Sequence, residues 1–363
     1  MADVEFEHRG RLGQITLNRP EALNALTHAM VREIHAQLEA WAGDTRVAAV
    51  AIRGAGGKAF SAGGDIRALY EAGRPGGERG RANFGFYADE YRLNHRIKTF
   101  PKPYVAVMDG IVMGGGVGVS VHGSHRIATE RTVFAMPETG IGLFPDVGAT
   151  WVLPRLPGET GMWLALTGDR LKGRAAVEAG VADVFLTHRA AEALIEALAD
   201  GFDLPTDARA LPEALADAAR DIASDLFEDS AGAAPPDRVR TRERDALFAG
   251  ADLGDILARL EASGSDTARA IHRTILSKSP TSTTIAFRQM REGARLVRFE
   301  DAMRLEYRLA RYCMEHTDFY EGVRALIIDK DGAPAWSPST LDKVDPAEID
   351  RAFASLGAEE LSL

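Results

Sequence analysis

The sequence predicts an α/β fold, a spiral of ββα units followed by a mainly helical C-terminal region. Three observations carry that expectation. Two apolar runs with the look of buried strands, residues 46–53 (RVAAVAIR) and 104–108 (YVAVM), each lead through a glycine-containing turn into a helix. The two turns, Ala62-Gly63-Gly64-Asp65 and Gly114-Gly115-Gly116, mirror each other. From about Ala190 onward nearly every segment repeats its apolar residues at helical spacing. The expected division is therefore a core over residues 1–190, carrying the site, and a helical region over 191–363 covering that core.

Taken in order, residues 3–18 read as a hairpin: VEFEH, a turn at Arg9-Gly10, then LGQITLN, ended by Arg19-Pro20 because proline cannot donate to a ladder. Thr27 is placed to cap a helix with Met30, Ile34, Leu38 and Trp41 at helical spacing. The strand over 46–53 follows, then the first glycine turn and a helix carrying Ile66 and Leu69. Residues 73–81 (GRPGGERGR) form a polar, Gly-rich loop. A helix from Asn83 to Phe100 brings Tyr87, Glu90 and Tyr91 near one another. Pro101 and Pro103 end it before the strand over 104–108. The second glycine turn then opens an apolar helix through Val121. Pro157-Gly158 starts a helix closed by Gly168, and Gly180 stops the next one. Helices continue over 268–276, 281–296 (entered at Ser279-Pro280) and 299–316, with an Ala/Gly/Pro linker over 230–237 and one short helix in the tail.

Composition narrows the function. The chain has 363 residues, 45% of them hydrophobic, enough for one large core and a smaller one. A net charge of −10 with no Lys/Arg-rich run argues against a nucleic-acid partner. No apolar stretch reaches membrane-spanning length, so no membrane role is expected. The single cysteine, Cys313, excludes internal disulfides, points to a reducing compartment, and reads as a small core residue. The N-terminus enters a strand directly, without a signal or an Arg/Ser-rich transit segment, so the expected location is cytoplasmic.

Glycines at the start of a helix leave backbone N–H groups unpaired, and the helix dipole favours negative charge in front of them. Close packing explains Gly114 to Gly116 equally well, but two matching turns can each offer one N–H to a common oxygen. Glu138 follows a proline among Phe134, Met136, Ile141, Leu143 and Phe144; such surroundings desolvate a carboxylate, raise its pKa and suit a base or nucleophile. Asp146, in Phe-Pro-Asp-Val-Gly, reads either as a second functional acid or as the N-cap of the stretch that follows. His122 and His125 lack metal-ligand spacing with any other His or Cys, and no metal is expected.

These residues resemble the crotonase (enoyl-CoA hydratase/isomerase) superfamily, through ITLNRPEALNAL, KAFSAGGDIRALY and DGIVMGGGVGVSVHG. Within it, FAMPETGIGLFPDVG, LPRLPG, LALTGDRLKGR, LSKSPTS and EGVRALIIDKD are similar to the 3-hydroxyisobutyryl-CoA hydrolase branch, whose role lies in valine catabolism. The resemblance runs along essentially the whole chain and is weakest from about 200 to 265. It implies a crotonase-like spiral and hydrolysis of a small 3-hydroxyacyl-CoA thioester, CoA being part of the substrate and no separate cofactor being needed. It implies that the N–H groups of Gly64 and Gly115 hold the thioester oxygen. The turn of Ala62, Gly63 and Asp65 lies against the CoA adenine. Glu138 becomes the catalytic carboxylate, Asp146 the group meeting the 3-hydroxyl, and Glu90 a further substrate contact. Hydratases carry a glutamate where this chain has Gly118, which argues against hydration. Ala149-Thr150-Trp151 depart from the glycines and aromatic more usual in the branch, a difference that bears on acyl-pocket shape.

Two other readings stay open. A Δ3,Δ2-enoyl-CoA isomerase would use the same single glutamate, but has no use for Asp146. A non-catalytic CoA- or RNA-binding scaffold is opposed by the intact Glu138 and the acidic balance. Superfamily members often form trimers or pairs of trimers, so a homo-oligomer is an expectation, with the helical extension as the alternative cover for that surface.

Overall fold

A computed structural model describes residues 2–73, 81–218 and 238–363. The Gly-rich loop expected over 73–81, apart from Gly73 and Arg81, and the whole of the linker expected over 230–237 lie outside the described residues. Ten strands are described: β1 (Val4–Arg9), β2 (Leu12–Leu17), β3 (Ala49–Gly54), β4 (Ala59–Ser61), β5 (Tyr104–Met108), β6 (Ile111–Met113), β7 (His125–Ala128), β8 (Val133–Ala135), β9 (Leu171–Lys172) and β10 (Val184–Phe185). The chain divides into two compact units that interleave along the sequence: residues 1–64, 92–134 and 170–237, and residues 65–91, 135–169 and 238–363. The boundary expected at residue 190 falls within the first unit, inside helix His188–Ala199.

The first unit holds the expected spiral. Its larger sheet runs β1-β2-β3-β5-β7-β10 and its smaller sheet β4-β6-β8-β9. The pairs β3–β4, β5–β6 and β7–β8 therefore climb both sheets in step, one ββ unit at a time. β1 and β2 make the predicted antiparallel hairpin, Val4 opposite Leu17 and Arg9 opposite Leu12; β2, β3, β5, β7 and β10 pair in parallel. Val50, Ala51 and Ile52 are wholly buried, as a parallel sheet covered on both faces requires. Helix His28–Gly43 buries Met30, Val31, Ile34, Leu38 and Trp41, and Thr27 caps it by accepting from the Met30 amide at 3.2 Å. A second apolar layer forms where Val105, Val107 and Ile127 meet Leu186, Leu194, Ile195 and Leu198.

One local reading changes. The helix after Gly114 is one turn, Gly115–Gly118, and does not run to Val121. Glycines at 115, 116 and 118 give it little intrinsic stability, and the chain has to reach β7 at His125. β6, three residues between glycines, carries too little periodicity to announce a strand, and its parallel pairing with β4 makes it one.

The second unit is mainly helical. Ser279 caps helix Pro280–Gly293 by accepting from the Ser282 amide at 3.1 Å, with Pro280 at its first position. Gly168 closes helix Thr160–Thr167 in a left-handed conformation. Helix Phe299–Glu315 buries Ala302, Met303, Leu305, Leu309, Ala310, Cys313 and Met314 along one face. Cys313 is the buried free thiol the sequence suggested. Arg308 pairs with Glu360, holding the tail beyond helix Pro346–Phe353 against helix Phe299–Glu315.

Candidate active site

In the first unit, the parallel pairing of β4 with β6 ends both strands at a glycine turn, which is why the two turns lie together. Gly63 has φ +117° and Gly114 has φ +47°, both in the region that favours glycine. A Cβ on Gly63 would stand 3.4 Å from the Met113 carbonyl oxygen and 3.6 Å from the Gly115 nitrogen. A Cβ on Gly116 would stand 2.4 Å from the Ser61 carbonyl oxygen, so close packing is the work of Gly116. The first turn is tied down by the Leu26 amide donating to the Gly63 carbonyl at 2.8 Å and the Ala62 amide donating to the Leu23 carbonyl at 3.0 Å. Those bonds do not draw on the amides of Gly64 and Gly115. Gly115 opens its helix, where backbone N–H groups have no partner within the helix.

The second unit collects the acids. Glu138 opens the 3-10 turn Glu138–Ile141 directly after Pro137, and the residue is 5% exposed. Glu90 sits on helix Arg81–Lys98 at 2% exposed. Asp146, 4% exposed, accepts a hydrogen bond from the Tyr91 hydroxyl at 2.9 Å. The short helix Ala149–Val152 has Gly148 as its N-cap and no side-chain cap of its own, so the capping reading of Asp146 is set aside. Asp65 does act as a cap, accepting from the Ala68 amide at 3.2 Å at the start of helix Ile66–Ala72.

Burial dominates the electrostatics. It lifts Asp146 to about 7, against the pull of the Tyr91 hydroxyl. Burial and then the Asp146 charge push Glu138 well above the usual carboxylate range, while its own backbone amide and the Lys278 ammonium pull it back. Glu90 rises for the same two reasons, with Glu306 adding to the push. Burial likewise lifts the hydroxyls of Tyr87 and Tyr91, and the Asp146 charge adds to both. One oxygen each of Glu90 and Glu138, and the Tyr87 hydroxyl, are buried with no hydrogen-bond partner. Buried polar atoms without a partner are costly, which marks these acids as candidates for a functional role.

The residue between Asp146 and Gly148 is held in an awkward shape. Val147 has φ +52° and Gly148 φ +91°. A β-branched residue in the left-handed region costs about 1–3 kcal/mol and persists only where its surroundings impose it. Here they do. The buried Glu306 carboxylate accepts from the Gly148 amide at 2.7 Å and from the Thr150 amide at 2.9 Å. Gln289 donates to the Pro145 carbonyl at 2.6 Å and to the Thr150 hydroxyl at 2.7 Å. Lys278 lies over Gly140, where a Cβ would meet its ammonium at 3.2 Å, and the next residue's amide donates to the Thr139 carbonyl at 3.2 Å.

The structure thus brings Gly63 beside Gly115, and sets Glu90 and Glu138 within reach of the Asp146 charge. Glu306 and Gln289 were missed by sequence reasoning. The available signal was a polar residue within a buried helical stripe: Glu306 between Met303, Leu305 and Leu309, and Gln289 between Ile285, Ala286 and Met290. Among the described residues, no group of three or more His, Cys, Asp or Glu side chains could hold a metal ion, and no helix is long and apolar enough to cross a membrane.

A two-sheet spiral with paired glycine turns and a set of buried carboxyls agrees with the sequence comparisons: the chain belongs to the enoyl-CoA hydratase/isomerase family, whose profile matches residues 12–353. Among curated proteins, the 3-hydroxyisobutyryl-CoA hydrolase, mitochondrial, of Danio rerio is 46% identical over all of this chain and 92% of its own length. The Homo sapiens protein of the same name is 41% identical over 99% of this chain and 90% of its own length. A solved structure titled as an enoyl-CoA hydratase from Rhodobacter sphaeroides superposes with a TM-score of 0.88 at 40% identity, covering 100% of both chains. One titled as a carnitinyl-CoA dehydratase from Mycobacterium thermoresistibile gives 0.87 at 36%, covering 100% of this chain and 99% of its own.

Proposed function

We propose that this protein is a thioesterase that hydrolyses 3-hydroxyisobutyryl-CoA to 3-hydroxyisobutyrate and CoA. The observation that carries the reading is the buried Asp146, bonded to Tyr91 and set in the same acid group as Glu138. The names of the full-length relatives support it. In this reading Glu138, once ionised, attacks the thioester carbonyl carbon; the C–S bond breaks, CoA leaves as a thiolate that takes up a proton, and water cleaves the resulting mixed anhydride. The same residue acting as a base on water reaches the same products. The amides of Gly64 and Gly115 stabilise the tetrahedral oxyanion, each such donor contributing on the order of a hundredfold or more in rate. Asp146 accepts from the substrate's 3-hydroxyl, and a site built for a hydroxyl rejects acyl groups without one. Glu90 contacts the acyl group, and Ala62, Gly63 and Asp65 line the path of the CoA adenine.

The titles of the two solved structures favour a hydratase or dehydratase instead. That chemistry needs a second carboxylate to serve water, and the position where hydratases carry it is Gly118, inside the one-turn helix. An isomerase reading leaves Asp146 without a task. The relatives are named mitochondrial, so the cytoplasmic reading is a proposal for cell fractionation to test. Assembly into a homo-oligomer is likewise a proposal, tested by light scattering.

The decisive assay is thiol release from 3-hydroxyisobutyryl-CoA, 3-hydroxypropionyl-CoA, isobutyryl-CoA and a 3-enoyl-CoA, by the unaltered protein and by Glu138→Ala. Release from the hydroxyacyl thioesters that is slow for isobutyryl-CoA, and lost in the variant by about a hundredfold or more, is expected. Absence of thiol release, with an absorbance change on the enoyl substrate, would sink the hydrolase reading.

A further inference from the structure

We propose that Glu306 is a positioning residue for Asp146: by holding the amides of Gly148 and Thr150 it sets the loop that aims the hydroxyl-selecting carboxylate. The inference rests on the hydrolase reading for what Asp146 selects, and on geometry for how it is held. Glu306 lies 158 residues from Gly148 in sequence and is wholly buried. Each of its oxygens takes a different amide, at 2.7 and 2.9 Å. Those amides open helix Ala149–Val152, which has no side-chain cap of its own. Gln289 holds the same loop through the Pro145 carbonyl and the Thr150 hydroxyl. Between these holds, Val147 keeps a left-handed backbone that a valine does not choose.

The choice of residue is itself informative. A serine or asparagine at the cap position would satisfy an opening amide at no electrostatic cost. Glu306 is instead a buried acid whose charge is opposed by that of Asp146, and whose own charge opposes Glu90. A carboxylate spanning two amides fixes both the tilt and the depth of the loop, which a single hydroxyl cannot do. Glu306 touches no reacting atom in this account. It acts through Asp146.

The test compares kcat/KM for 3-hydroxyisobutyryl-CoA and isobutyryl-CoA in Glu306→Gln. Glutamine has one accepting oxygen, and its amide nitrogen opposes the second N–H. Misplacing a selecting group by about 1 Å costs up to about a hundredfold, so the preference for the hydroxyacyl thioester is expected to fall by about tenfold or more, while isobutyryl-CoA turnover changes by less than about threefold. In an Asp146→Asn background the same substitution leaves that preference unchanged, because residues acting through one another are not additive. Equal loss on both thioesters, or effects that multiply in the double variant, would overturn the proposal. Should Glu306→Gln not fold, Glu306→Asp keeps a carboxyl group, shortens the reach and is expected to lower the preference in the same direction. Amide hydrogen exchange over residues 147–151 separates this inference from the functional reading. Faster exchange in Glu306→Gln is expected whatever the substrate, and unchanged exchange overturns the positioning role even if the hydrolase reading stands. If the unaltered protein shows no hydroxyacyl preference, the functional reading fails and exchange alone decides the positioning role.

Discussion

Replacing Asp146 by asparagine is expected to stabilise the protein at neutral and alkaline pH and to leave it nearly unchanged in acid. The carboxyl rises from an ordinary value of 3.8 to about 7 on folding because burial disfavours its charged form. A group raised in this way contributes its full stability below the unfolded value, and that contribution is lost as the pH climbs through the folded one. The window is therefore about pH 4 to 7. Three units at about 1.4 kcal/mol each amount to about 4 kcal/mol. A chain of 363 residues unfolds with an entropy of about 0.8 kcal/mol per kelvin, so the difference corresponds to about 5 °C in Tm. Asparagine keeps an oxygen to accept from Tyr91 and carries no charge to bury. Removing the Asp146 charge also relieves Glu90, Glu138 and Glu306, which moves stability in the same direction. Differential scanning fluorimetry of both proteins from pH 4.5 to 8.5 reads the effect as a gap in Tm that widens up to about pH 7, and further above it as Glu306 ionises. A gap that stays constant across that range would refute the claim that the buried charge is what destabilises this site.

Three further outcomes are expected. The kcat/KM profile of the unaltered enzyme should rise with pH well above the ordinary carboxylate range, because Glu138 must lose its proton before it attacks. Lys278→Met removes the cation that opposes this shift, so the rising limb should move to still higher pH, whereas Lys278→Arg should leave it near its original place. Gly116→Ala forces a methyl against the Ser61 carbonyl and should cost about 1–3 kcal/mol, read as a lower Tm, since overpacked interiors relax poorly.

The first unit could be read closely because its signals are local. A threonine before His28 and a stripe through Met30, Ile34, Leu38 and Trp41 specify one helix and its start, and the structure has both. Glycines at 63 and 114 announced their turns because only glycine takes those backbone angles comfortably. Glu138 was legible from the apolar residues around it, which foretold its raised pKa. Asp146 was ambiguous, since a Pro-Asp-Val-Gly stretch serves a cap as well as a functional acid; the structure sets the cap aside and shows the partner the sequence could not, Tyr91, 55 residues away. Glu306 and Gln289 were out of reach for a related reason. Periodicity identifies which face of a helix is buried, but not which distant amide a polar residue on that face will meet. The division into interleaved units was also hidden, because the crossings at 91/92 and 134/135 occur inside a helix and a strand that look continuous in sequence.

The backbone at Val147 has a consequence for how such an enzyme could change its diet over evolutionary time. A loop that would rather adopt another shape is only as faithful as the neighbours that restrain it, and those neighbours sit on helices Pro280–Gly293 and Phe299–Glu315. On the proposed reading, substitutions on those helices, remote in sequence from Glu90, Glu138 and Asp146, would retune which acyl group is accepted while those acids stay untouched. Drift in the C-terminal helices is thus a route to new substrates that a survey of the reacting residues would never notice.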